Sequence, residues 1–235
     1  MQINRRNYYI CSMRLCTLST VAVLTALSIQ VSAQDVVHLN RFKEENAAVP
    51  AVTPQTHRVV FIGDSITEGW GNLASEFFDN DHRVESGISG EVSAQMLLRF
   101  RQDVLDLHPE TVVINAGTND IALNLGAYDE NYTLGNIISM TELALAHGCK
   151  VVLTSVLPAA AFPWRPEVEG GPARIQALNA RIQVYAANRH LPYVDYYSSM
   201  VDADGVTLRA GYTNDGVHPT REGYMVMIDL VKKVL

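Results

Sequence analysis

Short runs of β-branched and apolar residues alternate along the chain with longer stretches of helical periodicity. Residues 58–63, 111–116 and 151–156 are dominated by Val, Ile, Leu and Phe. Such continuous runs are typical of strands that are buried on both faces of a parallel sheet. Shorter candidate strands lie at 83–86 and 193–196. The pattern predicts five strands.

The stretches between and after these strands predict helices, because apolar residues recur there at helical spacing. They cover residues 91–105, 131–147, 172–188 and 221–235. Alternation of strand and helix predicts one doubly wound α/β domain from 58 to 235, with helices on both faces of the sheet. Residues 34–57 are polar and contain two prolines, so they are interpreted as a lead-in segment with one short helix.

The N-terminal residues 1–33 have the pattern of a secretory signal peptide. Three arginines precede an apolar run at 15–31, and the run ends in Val31-Ser32-Ala33. A basic start, an apolar core and a small-residue cleavage site predict removal after Ala33 and export to the periplasm or beyond. Met13 is an alternative start. A retained anchor is the other interpretation, but the apolar core is short and mixed with polar residues, which disfavours a bilayer span.

The mature chain is acidic and has a single cysteine. Without residues 1–33 it carries 15 basic and 25 acidic residues, a formal charge of −10. This charge disfavours nucleic acid and anionic membranes as partners. Cys149 is the one cysteine left, so no intramolecular disulfide can form and a hydrophobic core must stabilise the fold. About 200 residues suffice for such a core.

Two glycine-containing loops follow the first two predicted strands, at the sheet edge where α/β folds bind ligands. In the first, 63–69, Ser65 stands at a strand-to-helix turn, where it can present its hydroxyl and its own N–H to a carbonyl group. Capping of the helix is the alternative role for Ser65. In the second, 86–91, the glycines allow a backbone N–H to point into the site, although a plain turn explains them equally well.

Two further loops carry polar side chains with catalytic potential. Asn119, after the third strand, can donate its amide to a developing oxyanion, or it can form an Asx-turn or cap. Asp215 and His218 lie three residues apart, so both can face one cleft, with the carboxylate orienting the imidazole. His218 alone is compatible with an ordinary loop histidine. No third ligand at suitable spacing supports a metal site.

Together the four loops, which read GDSITEG, SGISGEVS, GTND and DGVHP, resemble those of the GDSL/SGNH hydrolase superfamily. Their spacing is most similar to the group that contains the catalytic subunits of platelet-activating-factor acetylhydrolase and many bacterial acyl esterases. The resemblance spans residues 63 to 218. It implies a flavodoxin-like three-layer α/β/α sandwich with a five-stranded parallel sheet, and no metal or organic cofactor.

The resemblance also implies a role for each matching residue. Ser65 is the expected nucleophile, His218 the base and Asp215 the group that orients it. The expected oxyanion hole consists of the N–H groups of Ser65 and Gly90 and the side chain of Asn119. The chain departs from the family at residue 85, because Glu85 stands where many members have an asparagine that supports the Gly90 loop.

The expected substrate is a small-molecule or glycan ester. The segment 157–166 follows the fourth strand, and its Phe162, Trp164 and Arg165 are candidate substrate-binding residues, as is Trp70 near the nucleophile. Packing within the domain is the alternative for these rings. No long hydrophobic lid is present, so we expect an esterase that removes acetyl groups, with a carbohydrate as the expected alcohol. The alternatives are a lysophospholipase or thioesterase of the same superfamily and a non-catalytic glycan-binding domain.

Overall fold

A computed structural model describes residues 38–79 and 82–235. The predicted signal peptide and the first residues of the lead-in segment lie outside the described residues. Phe42–Leu235 form one compact unit, and the lead-in segment contributes one short helix to it, α1, Lys43–Ala48.

The unit is built on a five-stranded sheet with the strand order β2-β1-β3-β4-β5, and all neighbouring strands are parallel. The predicted α/β fold with a five-stranded parallel sheet is therefore confirmed. The strands are β1, Val59–Gly63; β2, Arg83–Gly87; β3, Thr111–Ile114; β4, Lys150–Thr154; and β5, Tyr193–Val194.

The four predicted helices are present, although their ends differ from the prediction. The remaining helices are α2, Ser65–Leu73; α3, Ser93–Asp103; α4, Thr118–Ile121; α5, Glu130–Ala146; α6, Gly171–Asn188; α7, Tyr196–Met200; and α8, Arg221–Val231. Helix α3 begins at Ser93 and not at residue 91, because the Asp120 carboxylate accepts the N–H and hydroxyl of Ser93 and caps the helix there. None of α1 to α8 combines the length and hydrophobicity that a bilayer span requires.

Helices cover both faces of the sheet. Alternate residues of β1 point to opposite faces, and Val60 and Ile62 pack in one buried cluster while Phe61 packs in the other. Helices α3, α5 and α6 contribute to the first cluster and α2 and α8 to the second. The domain is thus a three-layer sandwich.

The strand register brings the carboxyl ends of four strands to one level. Gly63 at the end of β1 pairs with Gly87 of β2, while Ile62 pairs with Ile114 of β3, which in turn pairs with Leu153 of β4. The loops that leave these strands therefore start side by side, at the edge where α/β sheets bind ligands.

Candidate active site

Ser65 is the first residue of α2, directly after β1. The Asp64 carboxylate caps this helix by accepting the N–H of Ile66 at 2.9 Å. The turn also packs against β2, because a Cβ atom on Gly87 would lie 2.3 Å from the backbone nitrogen of Glu68. Glycine at 87 thus allows the α2 and β2 segments to approach closely, and Ser65 is held at the positive end of the helix dipole.

Ser65, His218 and Asp215 form a continuous hydrogen-bonded chain. The Oγ atom of Ser65 lies 2.8 Å from Nε2 of His218, and Nδ1 of His218 lies 2.6 Å from Oδ2 of Asp215. His218 and Asp215 lie in the loop before α8, and Ser65 is 153 residues upstream of His218. This is the geometry in which a histidine removes the proton from a serine hydroxyl while a carboxylate orients the ring.

Asp215 is held as an anion. Its partial burial favours the neutral acid, but hydrogen bonds from the ring and backbone N–H of His218 and from the N–H of Val217 outweigh burial and lower the pKa of Asp215 to about 2. Its Oδ1 atom accepts the two backbone N–H groups at 2.8 and 2.9 Å. The carboxylate therefore stays charged at neutral pH and can stabilise the imidazolium that forms when Ser65 loses its proton.

Ser65, Gly90 and Asn119 line one cleft together with His218. Gly90 has a φ of +81°, a left-handed conformation that favours glycine. Among the described residues, the backbone N–H groups of Ser65 and Gly90 donate to no other protein group. The structure thus brings together the three expected oxyanion donors, with two backbone N–H groups available to a substrate oxygen.

The Asn119 side chain is buried beside the turn that carries Ser65. Its Nδ2 atom donates to the carbonyl of Glu91 at 3.0 Å and to Oδ2 of Asp64 at 3.3 Å. Asp64 is itself enclosed, and burial raises its pKa to about 6 against the lowering effects of the Ile66 N–H and of His218. The longer bond, to Asp64, is the weaker one, and we expect an oxyanion to share that donor.

A buried arginine that lies outside the four sequence blocks supports the loops of the site. Arg99 on α3 is fully buried. Its guanidinium donates to Oε2 of Glu91 at 2.7 Å, to the carbonyl of Ser86 at 2.9 Å and to the carbonyl of Gly63 at 3.2 Å. One side chain therefore joins the ends of β1 and β2 to the residue whose carbonyl binds Asn119. The sequence signal that could have indicated this role is the position of Arg99 among the apolar residues of a predicted helix.

Glu85, the residue that departs from the family pattern, also supports the second loop. Its carboxylate accepts the N–H of Gly87. The hydroxyl and N–H of Ser89, two residues further on, donate to Glu68 on α2. Carboxylates thus hold the segment that leads to Gly90.

One of the four candidate substrate-binding residues lines the cleft. The indole ring of Trp164 lies 5.7 Å from the ring of His218, and the residue is 38% exposed. Phe162 is buried behind Trp164, with ring centroids 5.6 Å apart. The guanidinium of Arg165 binds the carbonyl of Leu123 at 2.7 Å and pairs with Glu167, so it holds neighbouring chain segments and does not line the cleft.

The prediction that Trp70 forms a pocket wall is wrong. The residue is 3% exposed, and its ring stacks on Phe77 at 5.1 Å and packs edge-on against Phe61 at 5.5 Å. Its position on α2 turns it toward the sheet, into the core cluster on that face. Packing, the alternative interpretation, accounts for this ring.

Asn124 and Ser89 also line the cleft, and neither was expected from the sequence. Among the described residues, no group of three or more His, Cys, Asp or Glu side chains has an arrangement that could hold a metal ion.

Residues 61–226 match the GDSL-like lipase/acylhydrolase family. The match covers more than half of the chain and includes all four loops of the site. The chain belongs to this family. As a GDSL-like acylhydrolase it is a carboxylic ester hydrolase, which confirms the enzyme class inferred from the sequence.

Individual relatives agree with this assignment. The structure of a GDSL-like lipase from Bacteroides thetaiotaomicron is 52% identical, covers 84% of this chain and 97% of its own, and superimposes with a TM-score of 0.82. Esterase TesA of Pseudomonas aeruginosa is 29% identical over 68% of this chain and 79% of its own. The acetylxylan esterase Axe2 of Geobacillus stearothermophilus is 16% identical over 75% of this chain and 93% of its own, with a TM-score of 0.59, and shares the fold.

Proposed function

We propose that this GDSL-like acylhydrolase is exported and removes a small acyl group, acetyl above all, from a hydroxyl of a carbohydrate. The cleft beside Ser65 supports the small acyl group, because its volume is ≈ 270 Å³. Sites for drug-sized ligands typically enclose about 300–1,000 Å³. A cleft below that range fits an acetyl group and the first atoms of the alcohol better than a long acyl chain.

Trp164 supports the carbohydrate. Its half-exposed ring stands in the cleft wall near His218, on the side where the leaving alcohol receives a proton. A flat, rigid aromatic face packs against the C–H face of a sugar ring, and its N–H end remains polar. The acidic mature surface and the basic, apolar N-terminus of the chain support action outside the cytoplasm.

The reaction proceeds in two steps. Nε2 of His218 takes the Ser65 proton as Oγ attacks the ester carbonyl, and the oxyanion accepts hydrogen bonds from Ser65, Gly90 and Asn119. The imidazolium then gives its proton to the departing sugar oxygen, which leaves an acyl-Ser65 ester. Water attacks that ester with His218 again as base, and acetate and free Ser65 are the products.

The first test is the dependence of hydrolysis on acyl length. With nitrophenyl esters from acetate to dodecanoate, we expect kcat/KM to be highest at acetate and to fall as the chain lengthens. A maximum at octanoate or longer contradicts the proposal and favours a lysophospholipase or thioesterase. Ser65→Ala measures the background rate.

The second test addresses the alcohol. Purified protein is incubated with acetylated xylan, acetylated monosaccharides and glyceryl acetates, and free acetate is measured. We expect faster release from one of the carbohydrates than from the glyceryl esters. Equal or lower release from every carbohydrate contradicts the carbohydrate assignment, even where the acyl-length profile favours acetate. Export is tested separately by the N-terminal sequence of protein from culture fractions, which we expect to begin at Gln34.

A further inference from the structure

A chain of hydrogen bonds between side chains runs along one wall of the cleft, from Trp164 through Asn124 to Asn119. The indole Nε1–H of Trp164 donates to Oδ1 of Asn124 at 2.9 Å. Nδ2 of Asn124 donates to Oδ1 of Asn119 at 2.8 Å and to the carbonyl of Gly90 at 3.2 Å. The chain thus connects a ring at the cleft mouth with two residues of the oxyanion hole.

The direction of this chain is fixed by the chemistry of Trp164. An indole nitrogen is a donor only, so the neighbouring atom of Asn124 must be its oxygen. The amide nitrogen of Asn124 then points toward Asn119, which has to present its own oxygen there. Each amide therefore has one favourable orientation, set from the indole end.

The other end of the chain requires the same orientation. The carbonyl of Glu91 and the carboxylate of Asp64 face the far side of the Asn119 amide, and both accept hydrogen bonds from its Nδ2. A reversed Asn119 amide would place its oxygen against the Glu91 carbonyl and the carboxylate. A buried acceptor left without a donor is destabilising, so the reversed state is disfavoured on both sides.

The backbone that carries Asn124 is also held from the Trp164 loop. Leu123 has a φ of +59°, a strained left-handed conformation for a residue other than glycine, which persists where its surroundings fix it. The Nη2 atom of Arg165 donates to the Leu123 carbonyl at 2.7 Å. Two adjacent residues, Trp164 and Arg165, thus hold two adjacent residues, Leu123 and Asn124.

From these contacts we infer that Asn124 is a positioning residue of the oxyanion hole. Its amide keeps the Nδ2 end of Asn119 directed away from the Trp164 wall, toward Ser65 and the site of the oxyanion. Trp164 acts through Asn124 in addition to bordering the substrate. The inference rests on ester hydrolysis, which the family shares, and is independent of the acetylated carbohydrate proposed above.

Asn124→Asp is the decisive variant, because the new side chain has nearly the same shape but only acceptors. It can still accept from Trp164, but it opposes the Asn119 oxygen and favours the reversed amide. With nitrophenyl acetate we expect kcat to fall about 10²-fold with little change in KM. The full loss of one oxyanion donor costs on the order of 10²–10³, so the loss should not exceed that of Asn119→Ala.

The double variant separates positioning from a general effect of the new charge. In an Asn119→Ala background, the amide that Asn124 orients is gone, so Asn124→Asp should lower kcat by no more than about threefold. Asn131→Asp, the same change at an exposed helical position, is the matched control and should keep the wild-type kcat. Thermal unfolding of each variant reports whether the fold is retained.

Trp164→Phe provides a second, independent test. It keeps an aromatic ring beside His218 but removes the donor that orients Asn124, so we expect kcat to fall about tenfold. In the Asn119→Ala background, we expect Trp164→Phe to leave kcat nearly unchanged. The inference is overturned if Asn124→Asp retains kcat within threefold of the wild type, or if it costs the same factor with and without Asn119. If Asn124→Asp does not fold, Trp164→Phe decides: a kcat equal to that of the wild type, or an equal loss in both backgrounds, overturns the inference.

Discussion

Replacing Asp215 by asparagine should nearly abolish activity while leaving the turn that contains it intact. Oδ1 of Asp215 accepts the backbone N–H groups of Val217 and His218, and Oδ2 faces Nδ1 of His218. The two backbone groups are donors only, so an asparagine has to keep its oxygen at the Oδ1 position. Its amide nitrogen then takes the position of Oδ2 and donates to Nδ1 of His218.

The hydrogen bond between residue 215 and Nδ1 of His218 thus changes direction, which forces the imidazole into the wrong tautomer. With Nδ1 as acceptor, the ring proton sits on Nε2, which can no longer accept the proton of Ser65. The corresponding change in serine proteases lowers kcat by about 10⁴, which corresponds to about 5.4 kcal/mol of transition-state stabilisation. We expect a loss of that order here, because the geometry leaves the amide no second orientation.

The assay compares Asp215→Asn with Asp215→Ala by kcat on nitrophenyl acetate and by thermal unfolding. Both should be inactive to a similar extent, but alanine also loses the two backbone bonds, each worth about 0.5–1.5 kcal/mol. In a domain of this size that lowers Tm by several degrees, at about 2–4 °C per kcal/mol. A kcat for Asp215→Asn within tenfold of the wild type would refute the reasoning, as would a Tm as low as that of Asp215→Ala.

Three further predictions concern the surroundings of the triad. Asn119→Ala should lower kcat on nitrophenyl acetate by about 10²–10³ with KM nearly unchanged, since the donor acts mainly on the oxyanion; an equal rise in KM would contradict this role. Burial raises the pKa of Asp64 to about 6 from 3.8, so the folded protein binds this proton more tightly than the unfolded chain does. The free energy of unfolding should therefore fall as pH rises from 4 to 7, by on the order of 2–3 kcal/mol relative to Asp64→Asn. Urea titrations that give the wild type and Asp64→Asn the same dependence of unfolding free energy on pH would contradict it. Arg99→Met should lower stability by about 3–5 kcal/mol, because it leaves the Glu91 carboxylate buried without its cation, and Arg99→Met/Glu91→Leu should recover part of that loss in the same titrations.

The parallel sheet and the arrangement of Ser65, His218 and Asp215 could be predicted from the sequence because both depend on local patterns. Buried parallel strands are apolar on both faces, which marks them as runs, and chemistry at their carboxyl ends follows each run immediately. Ser65 begins its helix directly after β1, and Asp215 and His218 share one turn. Their meeting also depends on the packing of α8 against α2, where the Tyr224 hydroxyl donates to the carbonyl of Ile66 at 2.8 Å.

The error at Trp70 also has a local cause. At about 100° per residue, the five steps from Ser65 to Trp70 turn the helix by about 140° beyond one full rotation. Ile66 and Trp70, four residues apart, share a face, and both pack in the core. Helical geometry therefore separates Trp70 from the nucleophile, although the two are close in sequence. The loop that carries Trp164 has no helical or strand periodicity, so the orientation of this side chain could not be predicted from the sequence.

The residues that the sequence did not reveal are those that hold the Asn119 side chain by hydrogen bonds on its two sides. Glu91, fixed by the buried Arg99, supplies the carbonyl on one side of the amide, and Asn124, fixed by Trp164, supplies the donor on the other. An oxyanion hole lowers the barrier only when its donors already point at the developing charge. A side-chain amide, unlike a backbone N–H, can rotate, so it needs partners on both sides. That requirement explains why Asn119, the expected side-chain donor of the hole, is held by two networks. The direction of the Ser65 and Gly90 N–H groups follows from the backbone conformation, which Asn124 and Glu68 support near Gly90.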